Sequence, residues 1–257
     1  MSLRGPLFKW YGSKFQSAKR YPPPLQGVPL IEPFAGGAGY SCRYPSLEVI
    51  VWDKNPVLGE LWRWLIGEAT SSMIQEIPIG IPEGTSIDQL GLSRGQALLL
   101  KHWQRTNNVG PSMLISPWGN KPGQWTANTR ARLCDEIYLV KHWKFEKPSH
   151  TQLGTWFIDP PYQDNYRYGF KKFDYPTLAK FIDRIPPASL VIVCEAVNKE
   201  TRSIPNWLPF EINHSSVTSR RKATQSHHSL EVVYTRYPRK SRTGKLPLDS
   251  RHDMMSE

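Results

Sequence analysis

The sequence has no apolar run near the ~18 residues that a membrane span requires, and its opening residues, Met1-Ser2-Leu3-Arg4-Gly5-Pro6, carry no apolar leader. Neither a membrane protein nor a secreted one is expected. Cysteine is scarce: the 257 residues contain three, Cys42, Cys134 and Cys194, too few and too scattered for a disulfide scaffold or a zinc site. Acidic residues are outnumbered, with 22 Asp and Glu against 33 Lys and Arg and a net charge of +11. Between 93 and 132 the chain has six basic residues (Arg94, Lys101, Arg105, Lys121, Arg130, Arg132) and no acidic one. These absences predict a protein of a reducing cytoplasm with a polyanionic partner. Ten Trp within 12% aromatics add stacking surfaces beside that charge, a pairing that suits nucleic acid. The bland alternative is a solvated basic face.

The apolar pattern predicts alternating strands and helices. Leu30-Ile31 reads as a short strand opening into a glycine-rich turn, Glu32-Pro33-Phe34-Ala35-Gly36-Gly37-Ala38-Gly39. A second strand, 49–52, ends at Asp53, and 58–66 has helical spacing. This βαβ-like start implies a parallel sheet. From 67 to 147 the pattern changes. Pro78, Pro82 and Gly84 break the chain, and Ser93 is placed to cap a helix through Trp103. A Gly-, Pro- and Asn-rich loop follows over 107–125, and Thr126 or Asn128 starts another helix carrying Leu133, Ile137 and Val140. Strand character returns at 155–158. Asp174 and Pro176 start a helix through Leu178, Phe181 and Ile182. The run 190–194 reads as a buried parallel strand, and 210–212 with 230–234 as a closing pair. The organisation expected is a catalytic domain of 1–66 and 148–237, an insertion at 67–147, and a polar, disordered tail at 238–257.

Three motifs carry chemistry. Gly36, Gly37 and Gly39 let backbone approach a ligand closely after a strand, although a tight turn without a ligand looks the same. Asp53, at the end of the next strand, is placed to accept hydrogen bonds from ribose hydroxyls or to cap a helix. Asp159-Pro160-Pro161-Tyr162 is the sharpest signal. Two prolines after a strand force a rigid extended turn. That turn fixes the Asp159 carboxylate and the Pro160 carbonyl and projects Tyr162, giving two acceptors and one aromatic face for a planar amine-bearing base.

Together these residues resemble the Dam-type, α-ordered DNA adenine-N6 methyltransferases over roughly 7–237. Lys9-Trp10-Tyr11-Gly12-Ser13-Lys14 is similar to the family's K-W-x-G-G-K block, with Ser13 for the second Gly. Glu32 to Gly37 resembles its cofactor loop, Asp53-Lys54-Asn55-Pro56 its D-x-N-x block, and Asp159 to Tyr162 its catalytic tetrapeptide. The resemblance implies an α/β fold, a seven-stranded S-adenosylmethionine-dependent methyltransferase sheet with a small inserted, mainly helical target-recognition region. It implies S-adenosylmethionine as methyl donor, S-adenosylhomocysteine as product, and no metal. Trp10 and Lys14 would contact the methionine end of the donor. Glu32, Pro33, Phe34, Ala35, Gly36 and Gly37 would line it, Asp53 would hold its ribose, and Asp159 would lie between donor and target amine. The catalytic set is then Asp159, Pro160, Pro161 and Tyr162, acting on an adenine flipped from double-stranded DNA. A monomer associated with the nucleoid through its DNA is expected, and protection of DNA against restriction is the role the family suggests.

The recognition region departs from the sequence-specific relatives. Ser116-Pro117-Trp118-Gly119-Asn120-Lys121 resembles their V-P-F-G segment, but the stretch before it is short where they carry a base-reading hairpin. Relaxed or very short specificity is therefore expected, since phosphate contacts position a protein without reading bases. Lys9, Arg105, Asn107, Asn108 and Lys121 are candidates for DNA contact, and Arg220, Arg221 and Lys222 for phosphate contact near the active site. Trp118 reads as a core residue, with a wedge into the duplex as the alternative. The seven histidines, His227-His228 included, show no ligand spacing and read as surface or DNA-facing. An N4-cytosine methyltransferase and an inactive DNA-binding module are the competing functions.

Overall fold

The computed structural model describes residues 3–104, 111–161, 174–196, 208–212 and 231–238. It is an α/β fold around one mixed, mostly parallel sheet. Strand β1 (Leu30–Glu32) pairs in parallel with β2 (Val49–Val51) on one side and β4 (Thr155–Ile158) on the other. Beyond β2 lies β3 (Lys144–Phe145), and beyond β4 lies β5 (Leu190–Ala196), both parallel. The far edge reverses: β7 (Glu231–Arg236) is antiparallel to β5 and to β6 (Leu208–Ile212), giving the order β3-β2-β1-β4-β5-β7-β6. Pro209 falls on the edge strand β6, the place in a sheet where proline is tolerated.

Strict alternation assigns the sheet's side chains to two faces. Leu30, Val49, Val51, Phe157, Leu190, Ile192 and Cys194 join one apolar cluster. Ile31, Ile50, Trp156, Ile158, Val191 and Val193 join the other. Helix α5 (Tyr175–Asp183) covers the second face with Leu178 and Ile182. Its N-cap is Asp174, whose Oδ1 accepts from Thr177 N at 3.1 Å.

The first face carries the helices of the 67–147 segment and the N-terminal residues in one continuous cluster. Helix α1 (Pro56–Arg63) starts at Asn55, whose Oδ1 accepts from Val57 N at 3.0 Å, and Pro56 is pre-set for the first turn. The short α2 (Ser71–Gln75) follows. Helix α3 (Arg94–Trp103) opens with a capping box between Ser93 and Gln96 and is buried from Gly95 to Trp103, with the polar Gln96, Lys101 and His102 inside as well. Helix α4 (Ala127–Glu136) is capped by Thr126 rather than Asn128. Sequence periodicity predicted neither α2 nor β3; five and two residues are too short to show one.

His102 corrects the expectation that the histidines lie at the surface. It is buried on α3, its Nδ1 2.9 Å from Leu98 O and its ring 5.2 Å from that of Phe8. His227-His228 and the 239–257 part of the tail lie outside the described residues. Among the described residues, no helix is long and apolar enough to cross a membrane and no group of metal-ligating side chains occurs.

Candidate active site

In an open α/β sheet the crevice forms at the carboxyl ends of the strands, where the strand order turns back. Here that point lies between β1, which leads outward to β2, and β4, which leads outward to β5. A cavity of about 540 Å³ opens there, within the ~300–1,000 Å³ of small-molecule sites. Its wall takes Glu32 and 34–37 from the end of β1, Asp53 to Pro56 from the end of β2, and Asp159 and Pro161 from the end of β4. The stretch Trp10 to Lys14 completes it from outside the sheet.

The glycine turn is shaped for close approach. Gly36 has φ +49°, and a Cβ there would sit 2.5 Å from Trp10 Cδ1. Gly39 faces backbone instead: a Cβ would meet the nitrogens of Lys14 and Phe15 at 2.6 Å each. The two glycines therefore allow the 10–14 stretch to lie against the turn. Trp62, buried on α1, donates from Nε1 to Gly36 O at 2.9 Å and holds the turn from behind.

Asp53 fastens the same turn. Its Oδ2 accepts from Gly36 N and its Oδ1 from Asn55 N, both at 2.9 Å. Burial raises its carboxyl above the usual range, against the lowering effect of those two N–H groups. The helix cap considered for Asp53 belongs to Asn55. Each Asp53 oxygen keeps a second lone pair for a ligand hydroxyl.

Three ionisable groups meet at the floor. Lys14 Nζ lies 2.9 Å from Asp159 Oδ1 and donates to Gly12 O at 3.2 Å. Glu32, 2% exposed, accepts from Ser41 N at 2.6 Å through Oε1. Burial pushes its carboxyl up to about 8; the Ser41 hydrogen bond opposes this, the charge of Asp159 adds to it, and that of Lys14 subtracts. Ser13 Oγ is buried at the cavity wall without a hydrogen-bond partner.

Of the expected cofactor residues, Trp10, Lys14, Glu32, Phe34, Ala35, Gly36, Gly37, Asp53 and Asp159 line this cavity; Pro33 does not. Pro33 is buried in the turn that follows β1. Of the catalytic set, Asp159 and Pro161 line it, Pro160 is buried behind them, and Tyr162 lies outside the described residues. Phe157 and Asp174 line it unforeseen. Phe157 was discoverable, since strand alternation puts it on the face of Asp159 two residues on.

The expected DNA contacts divide. Arg105, Asn107, Asn108, Arg220, Arg221 and Lys222 lie outside the described residues. Lys9 donates to Gln124 Oε1 at 2.6 Å and lies 5.8 Å from the Trp103 ring centre. The core reading of Trp118 is overturned. Its side chain is 56% exposed on a tight turn, Gly119 N to Ser116 O at 2.8 Å, with Lys121 Nζ 4.9 Å from its ring centre. Most of the acid-free basic run is committed internally: Arg94 pairs with Glu60, Lys101 with Asp88 and Arg132 with Glu136. Arg130 donates to the carbonyls of Gln75 and Ile77. No model of a known protein family matches the chain, and no curated protein matches it.

Proposed function

We propose that this chain is an S-adenosylmethionine-dependent methyltransferase acting on the N6 amine of adenine in double-stranded DNA, on the sheet of that enzyme class. One observation carries the reading: four sequence blocks, spread from Trp10 to Asp159, meet around a single cavity at the carboxyl ends of β1, β2 and β4. A strand-end proline turn alone, or a glycine turn alone, has many structural explanations. Their convergence with an acidic β2 end and a Trp–Lys block has few.

The residues fit the donor. Gly36 lets the Trp10 ring lie against the turn, and both line the cavity as one wall for a flat group. Asp53 has lone pairs for ribose hydroxyls, and the orphaned Ser13 Oγ is a donor in want of an acceptor. Trp10, Glu32, Phe34 and Lys14 would hold the rest. When bound, S-adenosylmethionine supplies an electrophilic methyl group.

The chain's own residues then hold the target nitrogen and receive its proton. The adenine amine is a poor nucleophile because its lone pair is delocalised into the ring. Asp159 and the Pro160 carbonyl, fixed by the proline turn, accept its two N–H groups and favour a pyramidal nitrogen. Lys14, 2.9 Å from Asp159 Oδ1, places a positive charge beside that carboxylate. The gain is positioning and electrostatics, with no covalent enzyme intermediate. Tyr162 is assigned to stack on the flipped base. The +11 charge, together with Trp118 and Lys121 at the surface, supports a nucleic-acid partner.

The test is to incubate the chain with unmethylated plasmid and donor, digest to nucleosides, and analyse by mass spectrometry. N6-methyldeoxyadenosine is expected, with none from Asp159→Ala. N4-methyldeoxycytidine would overturn the target base, and no methylated base would overturn the reaction.

A further inference from the structure

Among the described residues, Glu32 is the buried acid at the cavity whose charge the methyl-transfer step leaves unused. It ends β1, is 2% exposed, and is gripped through Oε1 by the Ser41 N–H at 2.6 Å. The charged groups facing it are Lys14 and Asp159, which pair with each other at 2.9 Å. Behind it lie Tyr40 and Cys42, whose hydroxyl and thiol burial holds far above neutrality, so neither brings a charge. The Lys14–Asp159 pair sums to zero, so the floor offers Glu32 a hydrogen bond that favours the anion but little net positive charge. A cation entering the cavity changes that balance; a neutral molecule of the same shape does not.

We propose that Glu32 distinguishes the methyl donor from its product by charge: the carboxyl stays protonated beside a neutral thioether and loses its proton to solvent beside a sulfonium. This rests on the methyl-donor reading of the cavity. Before transfer the ligand's sulfur is cationic and Glu32 is its counter-charge. After transfer the positive charge has left sulfur, Glu32 takes a proton back, and the product has lost an attraction that the donor had. Product inhibition is thereby weakened most at alkaline pH, where the carboxyl is ionised and its burial is compensated only by the cationic ligand.

The test is calorimetric titration of the full chain with S-adenosylmethionine and with S-adenosylhomocysteine, from about pH 6.5 to about pH 9, in two buffers of different ionisation enthalpy. Near neutrality the donor should release up to about one proton more than the product does. The affinity ratio of donor to product should rise about tenfold or more across the range, one pK unit of coupling being a factor of ten. Glu32→Gln keeps an amide oxygen for the Ser41 N–H and should bind both ligands with a ratio much flatter in pH. The ligands' own amino groups titrate alike with either protein and cancel between them. A wild-type ratio that matches the variant's at every pH overturns the proposal. If Glu32→Gln does not fold, Glu32→Asp replaces it: the midpoint of proton release should move, and an unmoved midpoint overturns the proposal. Binding of neither ligand to the wild type overturns the methyl-donor reading itself, whereas binding of both without a charge-dependent difference overturns only the role of Glu32.

Discussion

Gly39→Ala should dismantle the cavity without touching a charged group. The added Cβ would lie 2.6 Å from the backbone nitrogens of both Lys14 and Phe15. Ordinary contact begins near 3.4 Å, so the two segments must separate by 3.4 − 2.6 = 0.8 Å. Backbone atoms have no rotamer to retreat into. Overpacking typically costs ~1–3 kcal/mol, and two backbone contacts place this case near ~3 kcal/mol. For a chain of this size that lowers Tm by about 6–12 °C. Moving Lys14 by the same distance along the line to Asp159 would lengthen their 2.9 Å contact beyond hydrogen-bonding range. Binding of S-adenosylhomocysteine should weaken in step. Gly67→Ala is the control: no heavy atom lies within 4 Å of its Cβ position and its φ is ordinary, so it should be neutral or slightly stabilising. Differential scanning calorimetry reads the stability and a binding isotherm the affinity. A Gly39→Ala protein that melts within about 2 °C of wild type and binds with unchanged affinity would refute the close packing of the 10–14 stretch on the turn.

Trp62→Phe removes the donor to the buried Gly36 carbonyl and should cost ~1–3 kcal/mol, read as a lower urea midpoint at constant m. The raised Glu32 carboxyl binds its proton more tightly folded than unfolded. Its contribution is complete below its ordinary 4.5 and is lost as pH rises towards about 8, at up to ~1.4 kcal/mol per pH unit. Thermal melts across that window should show Glu32→Gln with the flatter profile; parallel profiles would count against a buried, protonated Glu32. Trp118→Ala should leave stability within ~0.5 kcal/mol, because the ring is exposed, while weakening duplex binding by ~1–3 kcal/mol if the ring stacks on a base. Unchanged anisotropy isotherms would remove Trp118 from the DNA surface.

What sequence discloses here follows from what is local. The caps at Ser93, Thr126 and Asp174 are legible because a cap and its partner sit three residues apart. The strand-end turns are legible because proline and glycine restrict or free their own backbone. The Lys14–Asp159 pair is not, since 145 residues separate its members (159 − 14). The acid-free stretch from 93 to 132 misleads for the same reason. Glu60, Asp88 and Glu136 lie outside it in the chain but beside it in space, so a basic run in sequence is not a basic patch on the molecule. Trp118 shows the limit of composition: its size suggests the core, but the turn built on Ser116 and Gly119 presents it to solvent.

The N-terminal wall of the cavity has a consequence for the order in which the protein is made. Residues 10–14 leave the ribosome well before several of the groups that hold this segment. Lys9 waits for Gln124, Arg4 for Asp135 and Glu136, and Lys14 for Asp159. At ~5–20 residues per second, Lys14 precedes its partner by roughly 7–30 s. Phe8, Trp10 and Phe15 wait less, because Trp62, Gly36 and Gly39, which they meet, are made much sooner. The aromatic packing of this segment can therefore form before its polar contacts close the far side of the cavity. The cavity itself is complete only once Asp159 and Asp174 have emerged.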